Sequence, residues 1–209
     1  MNKLTISDIV TSLNQDQKTN QDERQQKLHL SQLAICGYKY RYELDNNINI
    51  PFNWRFLRGN AIEYMLWWKI KDMKDNSYIH NPILEVTDNI TGSPDFISHE
   101  KRHIIELKSS RTDNSKEVYE RQLKAYMFFY SQPENKNYTG SIWLYNTLKD
   151  SVYSIGEYES LTQDDIKIIK NSIESFTDNE YKEGIESKAC EWCENFKCKM
   201  NINKKIKKD

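Results

Sequence analysis

The sequence predicts an α/β domain built on a small mixed β-sheet flanked by helices. Three observations predict it. Stretches with helical apolar spacing at 53–73, 115–130 and 161–176 enclose a run of short, β-rich segments between 82 and 155. No segment repeats elsewhere in the chain, so neither a solenoid nor a propeller is indicated. Hydrophobic residues are only 37% of the chain, but 13 Tyr, 7 Phe and 5 Trp can fill a core with few side chains. The 209 residues suffice for one sizeable domain, placed at 28–198, with a helix and linker at 1–27 and a basic tail at 199–209.

Charge and composition narrow the classes of function. Net charge is −1, so any polyanion site has to come from local clustering of cations. No apolar run approaches transmembrane length and the N-terminus lacks a signal-peptide pattern, which predicts a cytoplasmic protein with no membrane partner. In that compartment the four cysteines are metal ligands or thiols rather than disulfides.

In chain order, the segment 28–42 (LHLSQLAICGYKYRY) reads as a helix with Ser31 as its N-cap, carrying Cys36. The segment 53–73 is the best long helix, capped by Asn53, with apolar positions at Phe56, Leu57, Ala61, Met65, Trp68 and Ile70. Glu63 lies in its middle, one turn before Trp67. A strand follows at 82–87, then a hairpin over 92–110. If 99–102 (HEKR) forms its turn, Ser98 faces His103 and Asp95 falls opposite Glu106. Opposed residues have Cβ atoms about 4.5–5.5 Å apart, close enough for two carboxylates to repel unless a cation lies between them. Lys108 shares a face with Glu106 while Leu107 points the other way, and Ile97 and Ile104 lead into the core. His99 and His103 flank the turn as surface residues. A helix at 115–130 sets Gln122 and Tyr126 on one face. Strands at 141–146 and 151–155 pair across a turn at 148–150, and the helix at 161–176 opens with Thr162 and Asp165 as a capping box.

Three of the cysteines form a C-x2-C-x4-C array, Cys190, Cys193 and Cys198, and Cys36 is the fourth. Four thiolates suit zinc or a 4Fe–4S cluster, and the one-plus-three distribution suits the cluster better than paired zinc knuckles. Either would tie the first helix to the C-terminal segment.

Together these residues resemble the PD-(D/E)XK nuclease superfamily. Pro94-Asp95 followed by Glu106-Leu107-Lys108 matches its signature, and Gln122-x-x-x-Tyr126 resembles the extra motif of its RecB-like branch. Cys36 with the distant triplet resembles the iron–sulfur members, among them the CRISPR-associated RecB-like exonucleases and the AddB nuclease domain. Leu30-Ser31-Gln32-Leu33 before Cys36, and Arg58-Gly59-Asn60-Ala61-Ile62-Glu63, resemble two further family segments. The sequence departs from the pattern at Glu63, where many relatives have His, at Gly37, where Pro is common, and in the x4 spacing before Cys198.

The resemblance implies a restriction-endonuclease-like core and an Mg2+- or Mn2+-dependent deoxyribonuclease, an exonuclease rather than an endonuclease, acting on single-stranded or frayed DNA. It implies that Glu63, Asp95, Glu106 and the backbone carbonyl of Leu107 hold the metal, that Lys108 serves the attacking water or the transition state, and that Gln122 and Tyr126 complete the centre. Its iron–sulfur members imply a structural 4Fe–4S cluster on Cys36, Cys190, Cys193 and Cys198, with Zn2+ as the alternative. DNA contacts are expected from Arg55, Arg58, Arg111, Arg121 and Lys124, with Lys39, Arg41, Tyr38, Tyr40 and Trp54 nearby. The competing reading is a DNA-end-binding subunit of an integrase, helicase or recombination complex, trimming only in that context.

Overall fold

The computed structural model describes residues 28–46, 54–73, 76–87, 90–133, 136–177, 190–191, 193 and 198–200. The helix and linker expected at 1–27, the Asn53 cap and the tail from 201 onward lie outside these. The elements run β1 (Leu28–His29), α1 (Leu30–Asp45), α2 (Trp54–Asp72), β2 (Tyr78–His80), β3 (Leu84–Thr87), β4 (Ile90–Gly92), β5 (Phe96–Ser98), β6 (His103–Ser110), α3 (Lys116–Ser131), β7 (Thr139–Asn146), β8 (Ser151–Tyr158) and α4 (Gln163–Thr177).

Five strands in the order β2-β5-β6-β7-β8 make a mixed sheet; β6 and β7 are parallel and the other pairs antiparallel. A parallel pair needs a crossover, and α3 supplies it across one face. The turn at 99–102 sets the expected register, Ser98 to His103 and Ile97 to Ile104. The hairpin's first arm is shorter than expected. Gly92 ends β4, which belongs to a second sheet, β1-β4-β3, and residues 93–95 cross from one sheet to the other. Pro94 has no N–H to give a ladder, which suits a crossing segment rather than a strand.

The central sheet is covered on both faces. Ile97, Ile104 and Ile142 face Leu33, Leu123, Tyr126, Met127 and Ile169 from α1, α3 and α4. Phe96, Ile105 and Leu107 face Ile62 of α2, with Leu66, Trp67 and Ile70 packed alongside. Double coverage explains why Ile104–Leu107 is buried at every position. Each of these side chains contributes about 1.5–3 kcal/mol by leaving water.

Three local expectations are corrected. On α2, the spacing through Ala61, Met65 and Trp68 does not mark the core face. Those three are exposed; the helix buries Ile62, with Leu66, Trp67 and the expected Ile70 partly buried against the sheet. The N-cap residue of α1 is His29; Ser31 instead bonds the His29 ring, Oγ to Nδ1, at 2.7 Å. His103 is not a free surface residue, since its two ring nitrogens bond Thr139 at 2.7 Å and Ser141 at 2.6 Å, and burial lowers its pKa. The capping box on α4 forms as expected, with Thr162 N–H donating to Asp165 and Asp165 N–H to Thr162 Oγ1, at 3.0 and 3.1 Å.

Helix α1 bends at Cys36, whose backbone is extended (φ −171°, ψ 107°). The Cys36 thiol accepts the Lys39 N–H at 3.4 Å, so it works as an N-cap for the second half of the helix. Ser172 of α4 serves both sides of the bend. Its Oγ accepts the Gly37 N–H at 2.9 Å and donates to the Leu33 carbonyl. Arg121 donates to the Ile35 carbonyl at 3.4 Å. Backbone groups released by the bend are thus satisfied by α3 and α4.

Candidate active site

The site gathers where residues 93–95 meet β6 and the middle of α3. Extending the register of β5 and β6 by one residue sets Asp95 beside Glu106. Asp95 Oδ2 accepts the Leu107 N–H at 2.5 Å, which fixes the carboxylate against the strand. Glu106 is 1% exposed, inside a run of apolar residues. Its Oε1 accepts from Lys108 Nζ and from Gln122 Nε2, the latter at 2.6 Å. Its Oε2 is buried and has no hydrogen-bond partner among the described residues. An unpaired buried polar atom costs about 1–3 kcal/mol, and a charged one more.

Electrostatics follow from this crowding. Burial pushes the Asp95 carboxyl well above the ordinary carboxylate range, and the charges of Glu106 and Glu63 add to the effect against Lys108 and the Leu107 N–H. Burial raises Glu106 as well, and the pull of Lys108 does not cancel it. For Lys108 burial acts against the charge, but Glu106 and Asp95 outweigh it and hold the ammonium above its ordinary value. Burial and the Glu106 charge raise the Tyr126 phenol, which stays protonated and donates to the Ser93 carbonyl at 3.0 Å. Gln122 and Tyr126 therefore act on two segments of the site. Gln122 holds Glu106, and Tyr126 anchors the segment carrying Asp95.

Glu63 reaches the same end of the sheet from α2, on the opposite face from α3. Two residues that the sequence did not single out hold it there. His80 Nε2 and Asn81 Nδ2 both donate to Glu63 Oε1 at 2.6 Å. Neither lies in a recognisable motif, and β2 is only three residues long. The signal was long-range: His80 pairs with Phe96, next to Asp95.

Among the described residues, no three His, Cys, Asp or Glu side chains converge closely enough to coordinate one ion. Lys108, the Leu107 N–H and the His80–Asn81 pair occupy the three carboxylates instead. The residues still fit a hard divalent cation, because Glu106, with its bare Oε2, neighbours the carboxylate residue Asp95, and oxygen donors are what Mg2+ and Mn2+ take. The four cysteines are all buried, at 5–8% exposure, and none is joined in a disulfide. Four thiols fit a cluster or zinc in kind, although the structure does not gather three of them around one ion.

The expected DNA-contacting cations separate into two groups. Arg58 and Arg111 are exposed. Arg121 is paired with Glu117 at 2.9 Å, Lys124 with Asp165 at 2.8 Å, and Lys39 with Glu43. Arg41 lies over the Tyr38 ring at 5.2 Å. Tyr40 is a core residue, packed 5.6 Å from Phe176, and is not available for stacking. The side chains of Trp54 and Arg55 lie outside the described residues.

A mixed five-stranded sheet covered by helices, with an acidic pair and a lysine on adjoining segments, is the restriction-endonuclease-like architecture. The likeness to solved structures is one of fold. The chain is similar to the protein in "Crystal structure of SSO0001", with a TM-score of 0.55 at 17% identity, covering 92% of this chain and 95% of that one. It is also similar to an alkaline exonuclease, LHK-Exo, from Laribacter hongkongensis, with a TM-score of 0.52 at 15% identity over 75% of this chain and 88% of that one. No protein-family model matches the chain, and no curated protein matches it in sequence. No helix among the described residues is long and apolar enough to cross a membrane.

Proposed function

We propose that the protein is a metal-dependent DNA nuclease of the RecB-like iron–sulfur branch of the PD-(D/E)XK superfamily, acting as an exonuclease on single-stranded or frayed DNA. The observation that carries this reading is the bare, buried Oε2 of Glu106, the neighbour of Asp95, with Lys108 and Gln122 on the other oxygen. A structural pair would satisfy both oxygens. The fold shared with an alkaline exonuclease supports the same reading.

In this reading Asp95, Glu106, the Leu107 carbonyl and Glu63 hold Mg2+ or Mn2+. Once bound, the cation supplies charge neutralisation at the scissile phosphate and acidifies a water. The protein's own groups do the rest. Gln122 keeps Glu106 Oε1 occupied, which leaves Oε2 as its free donor. Lys108 turns from Glu106 toward the phosphate and offers its positive charge to the pentavalent transition state, or orients the attacking water. Exposed Arg58 and Arg111 contact the DNA backbone. Cys36, Cys190, Cys193 and Cys198 hold a 4Fe–4S cluster, or Zn2+ in the alternative, which ties α1 to the C-terminal segment.

The test is degradation of an end-labelled single-stranded oligonucleotide with Mg2+ or Mn2+. Asp95→Ala and Lys108→Ala each lower the rate by about 100-fold or more. Variants that degrade DNA as fast as the wild type would remove the catalytic assignment.

A further inference from the structure

His80 closes β2, and its ring is fixed on three sides. Trp67 stacks on it with ring centroids 5.3 Å apart at 21°. Phe96, its partner across the β2–β5 register, stacks at 5.5 Å and 29°. Tyr64 meets it edge-on at 5.1 Å and 71°. Aromatic contacts so placed leave the ring little freedom to turn, and aim Nε2 at Glu63 Oε1, 2.6 Å away. A carboxylate only accepts, so Nε2 carries the proton.

Asn81 adds a second donor. Its backbone is left-handed (φ 47°), a conformation Asn tolerates better than most residues. That turn aims Nδ2 at the same Glu63 oxygen, at 2.6 Å, while the Asn81 N–H donates to the Asp95 carbonyl at 3.0 Å. The 3.1 Å between the two nitrogens follows from both pointing at one oxygen. One short turn therefore links the Glu63 carboxylate to the backbone of Asp95. Both side-chain bonds fall on Oε1, which leaves Oε2 for another partner. Its two donors come from the last residue of β2 and the residue after it, where the chain runs beside Asp95.

We infer that His80, assisted by Asn81, is a positioning residue that fixes Glu63 by Oε1 and presents its Oε2 to the divalent cation. The inference rests on reading the carboxylate cluster as a metal centre. Such outer partners orient a ligand and sustain its affinity, and their loss typically costs 10–100-fold in metal binding. The stack makes the role separable from folding, because a Phe at this position keeps the aromatic contacts and loses only the nitrogen.

The experiment titrates Mn2+ into the full-length protein and follows free Mn2+ by electron paramagnetic resonance, without substrate. His80→Phe is expected to weaken Mn2+ binding about 10-fold or more while the metal-free melting temperature stays near that of the wild type. His80→Gln, which restores a donor, is expected to recover part of the loss. Asn81→Gly, which keeps the left-handed turn but lacks the amide, is expected to weaken binding in the same direction and gives the answer if His80→Phe does not fold. Wild-type affinity in His80→Phe, or in Asn81→Gly should the former not fold, overturns the inference. Glu106→Gln separates this from the underlying reading. If it binds Mn2+ as the wild type does, or the wild type binds none, the metal centre itself is refuted.

Discussion

Asp95 and Glu106 are carboxylates whose proton affinity rises on folding, chiefly through burial. The consequence for stability has a definite sign. A carboxyl with a raised folded pKa binds more protons folded than unfolded, so the stability of the metal-free protein falls as pH rises from about 4, the unfolded value, through the folded one. Each tenfold gain in proton affinity is worth about 1.4 kcal/mol, or about 3–6 °C in melting temperature at this chain length. Asp95→Asn removes the penalty. It is expected to melt higher than the wild type at pH 8 in a chelator, and the gap should close toward pH 4; a gap independent of pH would show that Asp95 carries no such burden. At this scale the sequence was informative about Asp95, Glu106 and Lys108, because strand alternation and one turn length bring the acids and lysine together, whereas Gln122 was marked only by the resemblance. It was silent about His80 and Asn81, whose partners lie at Glu63 on another element.

Among the elements, β6, α3 and the β7–β8 pair were legible because each is long enough to show its period. The three-residue strands β2, β4 and β5 were not separable, since their identity depends on which sheet receives them. The exposed face of α2 misled for a related reason. Met65 and Trp68 are apolar, but only the position of the sheet decides which stripe is covered. The bend in α1 was also invisible, because the groups that secure it come from α3 and α4, far along the chain. A Cβ on Gly37 would lie 1.9 Å from the Ser172 carbonyl oxygen, and its N–H is used by Ser172 Oγ. Proline, which the resemblance would favour there, would lose that bond. Gly37→Ala is expected to cost about 1–3 kcal/mol as an overpacked contact, read as a lowered chemical-denaturation midpoint. An unchanged midpoint would mean α1 and α4 can separate without cost.

For the whole molecule, the double-faced sheet follows from the sequence in outline: helices on either side of a strand run, and a parallel pair that needs a crossover. The cysteines pose a question of a different kind, since their spacing suggests a ligand set that the described residues do not bring together. Purified without oxygen, the protein is expected to contain iron and acid-labile sulfide. A colourless protein with stoichiometric zinc would replace the cluster by the alternative. Cys36→Ser is expected to lose the bound metal and to melt about 10 °C lower, a few kcal/mol at this chain length. Full metal content and an unchanged melting temperature would remove Cys36 from the ligand set.

The bend at Cys36 bears on the order in which such a protein matures. Ser172 and Arg121 secure the backbone on both sides of the thiol with the protein's own groups. The first thiol is then in place as soon as α1 docks on α3 and α4, before any cofactor is delivered. Loading would spend its binding energy on recruiting the C-terminal segment rather than on shaping the helix. If the proposed cluster forms, its insertion would join the C-terminal segment to an anchor in α1 that folding has already set.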